Sequence, residues 1–201
     1  VTFDSGDTAC WQNPYDFEPQ ITEKELKRFR AGICYDIYEK LGAHPMTVKG
    51  VPGVYFAVWA PHAMRVSLVG DFDLWDGRRL PMRKLSDSGI FELFVPGLPV
   101  GTLYKYEIKI KGGEVLLEAD PYGNRAQSDS EGASVVADLS NFTWKDQEWL
   151  EQRKRFQDRK QPISVYETSL EQWKSMEELT DFLEETDYTH VELHPVMEYI
   201  D

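Results

Sequence analysis

Between Val54 and Tyr122 the chain carries four runs in which apolar and polar residues alternate. Phe56 and Val58 fall in the first and Val66 and Leu68 in the second. Phe91, Leu93 and Val95 form the third, with Glu92 on the opposite face. In the fourth, Tyr104, Tyr106, Ile108 and Ile110 alternate with Lys105, Glu107, Lys109 and Lys111. A period of two is that of a strand with one face buried. Several short strands separated by turn signals predict an all-β sandwich. Pro52-Gly53 and Ala60-Pro61-His62 punctuate the first strands, and Lys111-Gly112-Gly113-Glu114 reads as a hairpin turn. Asp120-Pro121-Tyr122-Gly123 closes the run, Asp129 to Gly132 is a small polar loop, and Val135 with Val136 predicts a last short strand.

The flanks follow other periods. Residues 1–20 are polar and turn-rich and predict an extended lead-in. Thr22 with Glu25 three residues on fits a capping box, which starts a helix near Glu23. Leu26, Phe29, Ile33, Ile37 and Leu41 then make one apolar stripe for packing against the next domain. Gly32 splits it into two short helices, and Gly42 and Pro45 end it. Residues 144–160 turn charged and helical, with Trp144, Trp149, Leu150 and Phe156 as the buried contacts. After Pro162, Ile163–Thr168 reads as a strand, and Ser175 with Glu178 opens a helix through Met176, Leu179, Phe182 and Leu183. Thr189–His194 is a second strand, so the segment is a βαβ unit that needs further strands and helical cover. A closed (β/α)₈ barrel takes roughly 250 residues, so Asp201 is expected to be an artificial end and the chain the front of a longer protein. The fold class is mainly β, with a sandwich that follows a short helical segment and precedes a βαβ unit. The domain map is a lead-in with helical segment at 1–46, the sandwich module at 47–140, a linking helix at 141–160 and the βαβ segment at 161–201.

Charge narrows the partners. A formal charge of -13 over 201 residues argues against a nucleic-acid or anionic-membrane partner, because like charge repels polyphosphate, and leaves a neutral polysaccharide open. Hydrophobic and charged shares of 41% and 28% are those of a soluble globular protein. The sequence has no apolar run of transmembrane length and no basic start of a signal peptide. Cys10 and Cys34 cannot build a zinc site, and they read either as free thiols of a cytoplasmic protein or as one disulfide. His190 and His194 alternate on one strand face without a third ligand and read as barrel-core histidines, so no metal and no cofactor is expected.

The centre of the sandwich sequence is a loop, Val69-Gly70-Asp71-Phe72-Asp73-Leu74-Trp75-Asp76-Gly77-Arg78. A loop that presents one tryptophan is a place to bind a flat, neutral group such as a sugar ring. The competing reading is that Trp75 caps the sandwich edge.

Seven matches in order along residues 38–198 resemble the N-terminal part of 1,4-alpha-glucan (glycogen) branching enzymes, in the alpha-amylase superfamily. They are Tyr38 with Leu41-Gly42-Ala43-His44, Phe56 to Pro61, Val69 to Phe72 with Trp75 to Arg78, and Pro81-Met82-Arg83. Tyr104 to Ile108, Ala119 to Tyr122, and His190 to Leu193 with Pro195 to Glu198 complete the series. The resemblance implies that residues 47–140 are the immunoglobulin-like glycogen-binding module and residues 161–201 the first βαβ unit of a catalytic (β/α)₈ barrel, here truncated. Departures stand beside it. Where the family's first barrel strand continues Tyr-Glu-x-His-x-Gly-Ser-Trp, this chain has Tyr166-Glu167-Thr168-Ser169-Leu170-Glu171-Gln172-Trp173, and the helix cap Ser175 follows without the family's longer insertion. Ser128 to Ser134 stands where an Arg-Pro-containing stretch is expected.

The superfamily uses retaining catalysis by a nucleophilic and a protonating carboxyl group. The resemblance puts these on barrel strands beyond Asp201, so no catalytic residue is expected in this chain. Glu167, Glu192 and Glu198 read as strand-end hydrogen-bonding groups. What the resemblance does carry over is sugar binding, through Trp75 and Lys105, with Arg78 as a neighbour. The implied partners are glycogen, amylose and maltooligosaccharides. The implied parent enzyme cleaves α-1,4-glucan and transfers the segment to form α-1,6 branches. This portion would bind glucan or brace the barrel. A debranching enzyme, a maltooligosyltrehalose hydrolase or a non-enzymatic carbohydrate-binding protein are the other readings.

Overall fold

The four alternating runs are all strands of two sheets, and the sheet that holds the first and third runs is covered on a second face that the alternation hides. The computed structural model describes residues 12–128, 132–156 and 162–194. The chain divides into two units, Val1–Asn141 and Phe142–Asp201. In the first unit the strands are β1 (Gly42–Val48), β2 (Val51–Trp59), β3 (Ala63–Gly70), β4 (Arg83–Lys84), β5 (Ile90–Pro96), β6 (Leu103–Ile110), β7 (Val115–Glu118) and β8 (Ser134–Val135). One sheet has the order β1-β2-β5-β4 and the other β3-β6-β7, with β8 also paired to β6; every pairing is antiparallel. The immunoglobulin-like sandwich is therefore present. Its inner core takes Val54, Phe56 and Val58 from β2, Phe91, Leu93 and Val95 from β5, Val66 and Leu68 from β3, and Tyr104 and Tyr106 from β6. Both tyrosines donate to one buried oxygen, Asp120 Oδ2, at 2.7 and 3.0 Å. A phenol can enter this core because Asp120 accepts its hydrogen bond.

The opposite face of β2 and β5 is buried as well. Tyr55, Ala57, Ile90 and Phe94 pack there against Phe17, Ile21, Leu26 and Leu41 of the segment before β1. The lead-in is thus a cover, beginning in a short 3-10 turn at Pro14–Asp16. Helix α1 (Glu23–Arg30) has the predicted capping box: Thr22 Oγ1 accepts from Glu25 N, and Glu25 Oε2 accepts from Thr22 N. The helix stops at Arg30, short of the expected stripe; Gly32 follows at φ +70, and Ile33 is exposed. Only Leu26 and Leu41 of that stripe are buried in the described structure, with Phe29 and Ile37 half-buried.

Glu92, expected on a solvent face, is 3% exposed at its side chain and takes part in fastening the cover. It accepts from Tyr55 Oη at 2.8 Å and from Gln20 N at 3.0 Å, and Arg83 Nη1 lies 3.6 Å away. Two further expectations fail for reasons of backbone geometry. Gly42 and Pro45, expected to end the helical segment, both lie in β1, an edge strand in which proline's missing N–H is tolerated. Pro52 and Gly53, expected to punctuate the first strands, both lie in β2; a Cβ on Gly53 would overlap the Val95 carbonyl oxygen. The turn is instead at Lys49 and Gly50, both at positive φ. The sandwich therefore starts before residue 47.

In the second unit, α2 (Gln147–Phe156) is the expected helix, but Trp144 and Trp149 are exposed rather than buried, and Leu150 is half-buried. Strands β9 (Val165–Thr168) and β10 (His190–Leu193) pair in parallel around α3 (Met176–Glu184), so the βαβ unit is present. Its ring cluster is Tyr166, Trp173, Phe182 and Tyr188, with Trp173 Nε1 donating to Thr168 Oγ1 at 2.9 Å. Met176, expected on the apolar face of α3, is exposed, whereas Leu179 is buried. The expectations on Cys10, on residues 129–131, on the contacts of Phe156 and on Glu198 lie outside the described residues. Among the described residues no helix is long and apolar enough to cross a membrane.

Two predictions follow from the cover. A chain beginning at Gly42 bares Tyr55, Ile90, Phe94 and the Glu92 carboxyl, so it should lose cooperative urea unfolding and near-ultraviolet dichroism. Unfolding at the parent midpoint would contradict the two-faced core. Burial raises the Glu92 carboxyl above its ordinary range, against the hydrogen bonds from Tyr55 and Gln20 that lower it. A carboxyl raised on folding contributes stability that is full below about pH 4 and lost as pH rises through the folded value. Measured by urea melts, the parent should therefore lose stability relative to Glu92→Gln as pH climbs above about 4. Parallel curves for the two proteins would show that Glu92 is not the titrating group.

Candidate functional site

The loop after β3 is built around a single carboxylate. Gly70 ends the strand where a Cβ would overlap the Leu103 carbonyl oxygen, and the chain enters a 3-10 turn, Asp71–Asp73. Asp73 is 3% exposed. Its Oδ1 accepts from Gly70 N at 2.9 Å and from Trp75 N at 3.1 Å, and Trp75 N also donates to Gly70 O at 2.9 Å. Burial raises the Asp73 carboxyl, and the two backbone donors oppose that rise. Its Oδ2 is buried with no hydrogen-bond partner among the described residues.

Two consecutive residues, Leu74 at φ 62 and Trp75 at φ 58, adopt the left-handed region. Such a conformation costs on the order of 1–3 kcal/mol for each non-glycine residue and persists only where the surroundings enforce it. The Asp73 carboxylate and the Gly70 carbonyl supply that enforcement. The result lifts Leu74 into solvent at 74% exposure and leaves the Trp75 residue 36% exposed. The indole is oriented, because Trp75 Nε1 donates to Asp71 Oδ1 at 2.8 Å. With the N–H occupied, the indole offers the uncovered part of its ring. That is apolar stacking surface.

Lys105 is half-exposed on β6 opposite Val69, on the far side of the strand from buried Tyr104 and Tyr106. Val69 precedes Gly70, whose carbonyl holds the Trp75 amide, so register brings Trp75 and Lys105 to the same end of the β3–β6 pair. The same face carries Glu107, which is ion-paired with Arg65. Gly77 crosses directly over it, since a Cβ there would overlap the Glu107 carboxylate. Arg78 is tied into the loop by an ion pair. Asp76 accepts from Arg78 Nε at 2.8 Å and from Nη2 at 2.7 Å, a fork that holds the Asp76 carboxyl well below the usual range. Arg78 nevertheless stays 85% exposed at its side chain, so the outer faces of its guanidinium remain reachable.

The sequence reading missed Asp71, Asp73 and Asp76, the three carboxylates that shape the loop. Their signal was the spacing itself: an acidic residue beside the aromatic reads equally as surface charge.

In the second unit, His194 Nε2 lies 2.9 Å from Glu192 Oε1 and 3.9 Å from Glu167 Oε1, at the end of the parallel pair. Glu167 and Glu192 sit opposite each other in the register, each with a mostly exposed side chain. No group of three or more His, Cys, Asp or Glu side chains among the described residues is arranged to hold a metal ion.

Residues 40–123 match the family model described as Carbohydrate-binding module 48 (Isoamylase N-terminal domain). Three curated relatives bear the name 1,4-alpha-glucan branching enzyme. That of Nitrosococcus oceani is 45% identical over 96% of this chain and 28% of its own length. That of Chlamydia abortus is 46% identical over 93% and 27%, and that of Rubrobacter xylanophilus 44% identical over 99% and 29%. The chain thus spans less than a third of the length of these relatives. Among solved structures, the GBS pullulanase SAP in complex with maltotetraose is 21% identical with a TM-score of 0.55, over 79% of this chain and 24% of that one. The product complex of the glycogen-degrading pneumococcal SpuA is 20% identical with a TM-score of 0.54, over 80% of this chain and 20% of that one. At such identities the two structures speak for the fold.

Proposed function

We propose that this chain, which carries a carbohydrate-binding module 48 domain over residues 40–123 and matches the N-terminal part of 1,4-alpha-glucan branching enzymes, is the non-catalytic front of such an enzyme and holds α-glucan on its Trp75 loop. The parent enzyme would cleave α-1,4-glucan and rejoin the segment as an α-1,6 branch. The identities of 40–46% are all to branching enzymes, which favours this reading over a debranching enzyme or a maltooligosyltrehalose hydrolase. We also place the parent in the cytoplasm, in keeping with the free thiol of Cys34.

The observation that carries the binding role is the strained presentation of Trp75. Two left-handed residues are unfavourable, and a loop that only closed a sandwich edge could avoid them. Here the strain holds an oriented aromatic ring at the surface, at the same end of the β3–β6 pair as Lys105. One face of a glucose ring is lined with C–H groups and stacks on an aromatic ring. The hydroxyl oxygens at its edge accept hydrogen bonds, and Lys105 and the outer N–H groups of Arg78 are donors of that kind. The bracing role stays in view because about two thirds of the Trp75 residue is covered.

Calorimetric titration with maltoheptaose separates the two. Trp75→Ala should weaken binding by about 1–3 kcal/mol, roughly five- to more than a hundredfold. Lys105→Ala should cost about 1 kcal/mol, since a hydrogen bond at the surface is exchanged for one to water. A parent without affinity for linear glucans, together with a sharp fall in the melting temperature of Trp75→Ala, would make the module a brace and remove the sugar-binding role.

A further inference from the structure

A second oriented indole stands on the other sheet of the sandwich. Trp59 ends β2 opposite Ile90 of β5, on the face that the cover packs against. Tyr55 and Phe94 on that face are buried, whereas Trp59 is 52% exposed. The cover meets it with Phe29, whose ring lies 5.9 Å away at 78°, and leaves about half of the residue open. Like Trp75, the indole has a fixed orientation. Its Nε1 donates to Ser88 O at 3.2 Å, and a Cβ on the neighbouring Gly89 would come within 3.2 Å of the same nitrogen. The loop that holds it is pinned in turn, with Ala60 N donating to Gly89 O at 2.8 Å and Ile90 N to Ser88 Oγ at 3.0 Å. With its N–H occupied, Trp59 turns apolar ring surface to solvent, and burying such surface favours a ligand.

A polar rim lies beside the ring. Phe29 and Ser88 both touch the indole, and their sequence neighbours Arg30 and Asp87 form an ion pair that joins α1 to the turn between β4 and β5. The Asp87 side chain is 81% exposed, so its carboxylate is within reach of solvent. An anion would meet Asp87 and a cation Arg30. The hydroxyls of a neutral ring both donate and accept, and suit the pair. Trp59 also falls within residues 40–123, the part that matches the carbohydrate-binding module. We propose that Trp59 is a second α-glucan site of the module, in which a glucose ring stacks on the indole and its hydroxyls bond to Arg30 and Asp87. This rests on the glucan reading above for the identity of the sugar. The two indoles cannot serve one glucose. Trp59 adjoins the start of β3, where Ala63 N donates to Ala60 O, and the Trp75 amide is held at its end, by Gly70 O. The eight residues of that strand, at about 3.3 Å each, put the two sites roughly 20 Å or more apart. One module would thus hold two glucan chains.

The test is a chemical-shift titration of the full 201-residue chain with maltotriose. The Trp59 indole N–H and the Ser88 and Gly89 amides report on the second site, and the Trp75 indole N–H reports on the loop. Both sets should shift, and the Trp59 set should keep its dissociation constant in Trp75→Ala. Trp59→Ala should weaken the Ser88 and Gly89 response roughly tenfold or more, as loss of a stacking platform does. Because that change also removes a contact of Phe29, Asp87→Ala is the second variant. It should weaken the Trp59 response about fivefold, the loss of one hydrogen bond, and leave the Trp75 response unchanged. Unmoved Trp59, Ser88 and Gly89 signals beside a shifting Trp75 indole would overturn the second site and leave the Trp75 reading standing. Trp59 shifts that vanish in Trp75→Ala would be transmitted from the loop, which also overturns it. So would a response that neither Trp59→Ala nor Asp87→Ala diminishes. Silence at both sets would overturn the second site and the glucan reading together.

Discussion

The sheet formed by β1, β2, β5 and β4 has two apolar faces, and the arrangement of the first unit depends on both being covered. A strand buried on both sides reads as a near-continuous apolar run. β2 is buried without a break from Gly53 to Val58, and β5 from Ile90 to Val95. The partner sheet covers one face. Among the described residues the segment before β1 covers the other, with Phe17, Ile21, Leu26 and Leu41. Apolar contact alone would not fix the path of an irregular segment, because it has no direction. Glu92 gives it one. Its carboxylate accepts from a backbone amide of the cover and from the Tyr55 hydroxyl of the sheet, so cover and sheet share a single buried acceptor. Arg83 adds a second tie by donating to the Phe17 carbonyl oxygen at 3.0 Å.

The outer sheet was the more legible of the two. Tyr104 to Ile110 alternates because its inner face meets the core while Lys105, Glu107 and Lys109 face outward, so period and burial agree. The same logic fails at Glu92. A charged residue in an alternating run reads as solvent-facing, and nothing local announces that residues 14–41 will fold across it. β1 was illegible for a related reason: Gly42 and Pro45 are breakers in isolation, and only an edge position next to β2 makes them acceptable. Trp144 and Trp149 show the converse error. Size and hydrophobicity suggest burial, yet packing decides it, and both are exposed here. In the βαβ unit, local signals were strong enough, and Ser175 caps α3 with its Oγ accepting from Glu178 N at 3.3 Å.

Of the candidate site, the sequence yielded the aromatic and the lysine but not what holds them. Trp75 and Lys105 are conspicuous by type and by strand register. The carboxylates are not conspicuous, because their work lies in hydrogen bonds to the backbone and to the indole N–H that only the turn geometry creates. Arg78 shows how this changes a role. In sequence it is a free cation beside an aromatic; in the structure Asp76 takes its inner N–H groups and leaves the outer ones.

Asp73 is where strain, burial and binding meet. A buried carboxylate with one oxygen unpaired destabilises the fold, and two left-handed residues after it add to that cost. Removing the carboxylate would remove the first cost, but it would also release the Gly70 and Trp75 amides and with them the loop's shape. The loop is therefore stable only as a compromise in which Asp73 Oδ1 does structural work and Oδ2 stays unpaired.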